Sequence, residues 1–181
     1  MNSKRVLYLA LFTLGVISFL SQPTVHAANY SNYNHNFKLV LPDNWVFKQV
    51  DDQQLVLIGA RENNPNNGTL ALQISETLGN VALNLNDAPQ DVLENFHKTA
   101  VKRVKENKDK YEFLSSKITT LGDNKVILVT YREKQAKVDC VTATYLINSK
   151  LYLFYCEAPV DKSAKAFPEF FMILESFKQL Y

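Results

Sequence analysis

At 181 residues the chain has the length of one ordinary domain plus a targeting segment. Its 20 Lys and Arg stand against 18 Asp and Glu, which excludes the basic excess of a nucleic-acid or anionic-membrane binder. Five glycines are too few for a glycine-built nucleotide cradle.

Residues 1–27 have the layout of a signal peptide. Lys4 and Arg5 make a positive start, residues 6–20 an apolar run, and Val25 and Ala27 occupy the −3 and −1 positions of a cleavage site. The run is shorter than the ~20 residues a spanning helix needs. An uncleaved N-terminal anchor is the alternative. No cysteine lies near the cut, so a lipid anchor is disfavoured. Cleavage after Ala27 leaves 154 residues with eighteen charges of each sign. The expectation is an extracytoplasmic protein, secreted or periplasmic, a monomer without a stable membrane span.

Residues 28–36 are polar and aromatic, with four asparagines, and read as a flexible arm. Residues 37–181 then read as a single domain. Phe37, Leu39 and Leu41 alternate on one face of a half-buried strand. Pro42, Asp43 and Asn44 make a turn. Trp45 and Phe47 share a face of the next strand, and Asp51 to Gln53 turn the chain again. Strands follow at 55–60 and 69–75, separated by the turn-dense loop 63–68. Leu70, Leu72 and Ile74 face inward.

After a connection at 79–88, Pro89 suits a first helical turn. Val92, Leu93, Phe96, Ala100, Val101 and Val104 then form a helical stripe. The outer face carries Lys98, Lys102, Arg103, Lys105 and Lys108. This basic face is a candidate docking surface; the simpler reading is a solvated face that suits the helix dipole. His97 flanks the stripe without a second ligand four residues away.

A strand at 111–118 and a turn at Gly122, Asp123 and Asn124 lead into an antiparallel meander at 125–132, 140–147 and 151–156, rich in Val, Ile, Thr, Tyr and Phe. This meander should form the middle of the sheet. Asn148 and Ser149 suit its last turn. A three-residue loop sets Cys140 opposite Cys156; a two-residue loop sets Cys156 opposite Val141. Export, an even count of two and near-opposition lead us to expect a Cys140–Cys156 disulfide. A redox or metal pair is the weaker reading, because no Cys-x-x-Cys is present and only His35 and His97 remain to assist.

Past Pro159, Asp161 to Ser163 offer capping side chains. Phe167, Phe170, Phe171, Leu174 and Phe177 fall at helical spacing, and Pro168 should lie in the first turn. The chain holds no phosphate loop, no His-Glu-x-x-His and no Gly-x-Ser-x-Gly. No catalytic, cofactor-binding or metal-binding residue is indicated, and no cofactor is expected.

The pattern Phe37-x-Leu39-x-Leu41-Pro42-x-x-Trp45, followed by hairpins, a long helix, a meander and a final Glu175-Ser176-Phe177, resembles the PsbP-like family. That family includes extrinsic photosystem II subunits, a Ran-binding nuclear factor and exported bacterial proteins. The resemblance implies an α+β fold, an antiparallel β-sheet with helices packed on its faces as an α/β/α sandwich. It implies a non-enzymatic protein that binds or assembles other proteins. No metal ligands carry over from the photosynthetic members. A small-ligand binder is the second reading and an enzyme the third.

Overall fold

The computed structural model describes residues 29–42, 45–50, 55–61, 68–76 and 83–181. The expected signal peptide, the turns at 43–44 and 51–53, and the loop at 63–67 lie outside those residues. The strands are β1 (Asn29–Asn32), β2 (Phe37–Val40), β3 (Trp45–Gln49), β4 (Leu55–Arg61), β5 (Thr69–Glu76), β6 (Tyr111–Leu121), β7 (Asn124–Glu133), β8 (Val138–Ile147), β9 (Lys150–Pro159) and β10 (Lys178–Gln179). The helices are α1 (Gln90–Lys105) and α2 (Ser163–Glu175).

Seven strands form one antiparallel sheet in the order β3-β4-β5-β9-β8-β7-β6. The meander supplies β7, β8 and β9, and β9 pairs with β5 to join it to the N-terminal hairpins. A second, three-stranded sheet has the order β1-β2-β10.

The period-2 pattern decides what each face buries. Leu70, Leu72 and Ile74 of β5 share a face with Tyr152, Phe154 and Cys156 of β9 and with Val141, Ala143 and Tyr145 of β8. Over this face lie α2, the small sheet and Trp45. Phe177 sits at its centre, with ring centroids 4.9 Å from Tyr145, 5.0 Å from Tyr152, 5.3 Å from Phe154 and 6.0 Å from Phe37. The opposite face is thinner. There α1 lies over β6 and β7, burying Leu93 and Val104 against Ile127, Val129 and Leu146. The helices therefore cover both faces, as the sequence predicts.

Four local readings differ. The arm at 28–36 contains β1, which pairs residue by residue with β2 from Asn29 opposite Val40 to Asn32 opposite Phe37. Asn32 is buried, and its side chain accepts from the His35 amide at 3.0 Å, so asparagine here closes a hairpin. Helix α2 begins at Ser163, so Pro168 lies inside it. No side chain caps either helix start; Pro89 and Lys162 hold those positions. Phe177 lies beyond α2, in the link to β10.

Candidate functional site

The two halves of the motif lie far apart in the chain and meet in space. The Val40 amide donates to Ser176 Oγ at 2.8 Å, and Ser176 Oγ donates to the Ile173 carbonyl at 2.6 Å. Phe37, Leu39, Leu41 and Trp45 are buried, as is Phe177. The Trp45 amide donates to the Pro42 carbonyl at 3.0 Å, which ties the start of β3 to Pro42. Its indole Nε1 donates to Glu169 Oε2 at 2.9 Å, and its ring meets Phe170 edge-on. A buried indole needs such a partner. Beside this junction an open groove of about 400 Å³ runs between Val40, Leu41 and Pro42 on one side and Met172, Glu175 and Ser176 on the other. Val40 and Met172 are exposed at its walls.

The basic residues Lys98, Lys102, Arg103 and Lys105 are all exposed on α1. Lys102 pairs with Glu106 at 3.4 Å across one helical turn, and Lys105 lies 4.5 Å from the centre of the Phe113 ring. The packing stripe predicted for α1 is the buried one, so the basic face is the outward one. His97 stays at the edge of the stripe, and its buried Nε2 has no hydrogen-bond partner.

The expected Cys140–Cys156 disulfide is not formed. Asn148 and Ser149 both take positive φ, 49° and 63°, which makes a two-residue turn with Ile147 opposite Lys150. That register sets Cys156 opposite Val141 and Cys140 opposite Glu157. A one-residue offset sends side chains to opposite faces. Cys156 therefore joins the aromatic core under α2, while Cys140 lies on the α1 side beside Tyr131. Two thiols on opposite faces of one sheet cannot be bridged without moving backbone. Burial pushes both thiols well above the ordinary range, and the Glu157 and Glu133 carboxylates raise Cys140 further. Both stay protonated and weakly nucleophilic at neutral pH.

Sequence reasoning missed three polar positions. Glu157 lies beside Cys140, takes a hydrogen bond from Thr69 Oγ1 at 3.1 Å, and is held above the usual carboxylate range by burial. A glutamate within an otherwise apolar and aromatic central strand was the available signal. The Asp139 carboxylate is buried; it accepts from Arg132 Nε at 2.7 Å and from Ser163 Oγ at 2.8 Å. Ser163, expected as a cap, thus ties the start of α2 to β8. Nothing in residue spacing marks that pairing, because Asp139 and Arg132 meet only across the β7–β8 register. Among the described residues no three His, Cys, Asp or Glu side chains stand together as a metal site. Among them, too, no helix is long and apolar enough to cross a membrane.

These features were compared with known proteins. No curated protein matches the sequence. Solved structures match the fold at low identity. The solution structure of cyanobacterial PsbP (CyanoP) from Synechocystis sp. PCC 6803 is 17% identical, with a TM-score of 0.58, over 88% of this chain and 97% of that one. LpqN of Mycobacterium tuberculosis, described as involved in cell envelope biogenesis, is 16% identical with a TM-score of 0.56, over 88% and 86%. The Ran-binding protein Mog1p of Saccharomyces cerevisiae is 12% identical with a TM-score of 0.52, over 87% and 97%. The PsbP family model matches residues 26–179, nearly the whole described fold, and the chain belongs to the PsbP family.

Proposed function

We propose that this protein is an exported, non-enzymatic factor that binds or assembles other proteins outside the cytoplasm. The observation that carries the reading is the outward face of α1. It presents Lys98, Lys102, Arg103 and Lys105 to solvent on a helix whose other side is anchored in the core. A basic excess on a rigid element suits recognition of an acidic partner surface, although Glu106 pairs with Lys102 on the same face. A fold shared with a Ran-binding protein supports protein binding, and one shared with a protein described as involved in cell envelope biogenesis supports export. Cleavage after Ala27 follows from the Lys4–Arg5 start and the apolar run.

Crosslinking with mass spectrometry on the native envelope or secreted fraction tests the reading. Crosslinks to one partner should concentrate at Lys98, Lys102 and Lys105. Crosslinks spread evenly over the surface lysines would overturn the docking face. Intact mass of the purified protein tests export, and a chain retaining Met1 counts against cleavage.

The groove beside the motif favours a second reading, an extracytoplasmic small-ligand binder. Its walls are mostly apolar, with the Ser176 hydroxyl and Glu175 at the rim. Chemical shifts of the Met172 methyl in a titration with apolar small molecules would reveal occupancy there.

A further inference from the structure

The seven-stranded sheet ends in a long strand whose outer edge carries no partner among the described residues. β6 spans 11 residues and pairs only with β7. Such an edge is a template for strand addition, which proteins normally blunt with lysines and bulges. β6 carries both: Lys117 is exposed, and a bulge separates Phe113 from Ser115. The bulge has a further effect. It shifts the alternation, so Glu112, opposite Arg132, and Lys117, opposite Leu128, point to the same face.

We propose that β6 pairs antiparallel with β6 of a second copy of this chain, about a two-fold axis between Leu114 and Ser115. An ordinary strand meets its own copy only in registers that pair residues of equal parity, because outward-pointing amides alternate. The bulge reverses that rule across the axis. One register then brings opposite charges together: Glu112 faces the partner's Lys117, and the contact occurs twice. Tyr111 faces the partner's Ile118, and Phe113 the partner's Ser116. Leu114, an apolar side chain 41% exposed, lies at the axis and is covered by the pairing. Glu112 has capacity for a second cation, since its contact with Arg132 is 3.8 Å while Arg132 bonds Asp139 at 2.7 Å. Among the described residues Lys117 has no ion pair. The features that blunt this edge toward foreign strands complement each other when the strand meets itself. Of the basic residues of α1, Lys105 meets β6 at the Phe113 ring; crosslinks at Lys98 and Lys102 test the docking face, and the charge variants at Glu112 and Lys117 test this inference, so the two can fail separately.

Sedimentation velocity of the purified protein, over a hundredfold range reaching about 1 mM, should show a concentration-dependent dimer. Glu112→Lys and Lys117→Glu each set like charges in opposition twice, and each should weaken dimerisation about five- to thirty-fold. The double variant E112K/K117E should restore it. Mixing the two single variants should yield a heterodimer, since each then supplies what the other lacks. Near-UV circular dichroism checks that the variants fold, and the unmodified protein tests the proposal without any variant. A monomer at every concentration overturns it, as does a double variant no better than the singles.

Discussion

The two faces of the large sheet are built differently. The face under α2 is closed by rings drawn from four elements and the link between α2 and β10: Phe37, Tyr145, Tyr152, Phe154, Phe170 and Phe177, all buried. The face under α1 is covered by one amphipathic helix over β6 and β7, with smaller aliphatic side chains between. It also holds the Glu157 carboxylate and the Cys140 thiol. The first face takes its stability from close aromatic packing and long-range closure. The second is a thinner layer whose outward side is left to charge.

The comparison is most directly broken at Phe177. Phe177→Ala removes the ring around which four others pack and should lower stability by ~3–5 kcal/mol in chemical denaturation. A loss under ~1 kcal/mol would mean that the face closes without it. Asp139→Ala leaves the Arg132 guanidinium and Ser163 hydroxyl without their shared acceptor at the start of α2. It should cost about 2–4 kcal/mol, less for Asp139→Asn, with hydrogen exchange faster in the first turns of α2. Leu93→Ala tests the thinner face, and a loss near ~2 kcal/mol is expected, at the low end for leucine because the helix can settle. Hydrogen exchange should rise in α1 while α2 stays protected. Uniform acceleration would show that the two layers unfold as one.

Glu157→Gln gives the smallest effect, and it is a gain. Burial holds this carboxyl above its ordinary range. The folded state therefore binds the proton more tightly than the unfolded one, and stability falls as pH rises from the ordinary carboxylate range through the folded-state value. Above that window the charge is an unfavourable burden, so the amide variant should melt higher than the parent at neutral pH. The two should converge below the ordinary carboxylate range, where both side chains are neutral. Equal melting at neutral pH would place Glu157 in a well-solvated setting.

The sequence made the alternating strands easy to read. Leu70, Leu72 and Ile74 are buried together as their spacing predicts, and so are Phe37, Leu39, Leu41 and Trp45 of the motif. The stripe of α1 and its basic outer face were equally plain, because a 3.6-residue period separates the two sides without reference to the rest of the chain. What escaped depends on long-range pairing. β1 is a strand through its ladder with β2, against the propensity of its asparagines. β10 is two residues long and exists only where β2 offers an edge. The hairpin register at the cysteines turned on backbone dihedrals at Asn148 and Ser149, and one residue of loop length moved Cys140 to the other face. Of the candidate site, the lysines were legible as a periodic face. The groove was not, because its two walls come from opposite ends of the chain.

That separation has a consequence for how the molecule is made. β2 lies between β1 and β10, and its Val40 amide is held by Ser176. Synthesis delivers β1 and β2 first and the residues that complete them last. Until residues 176–179 emerge, the Phe37 and Leu39 side chains lack the Phe177 ring and the edge strand that close over them. The N-terminal segment therefore waits as an unsatisfied ribbon while the meander can already pair locally. Closing so long a loop is slow relative to forming hairpins. The small sheet is completed by residues 176–179, and a nascent chain stopped before them would leave Phe37 and Leu39 uncovered.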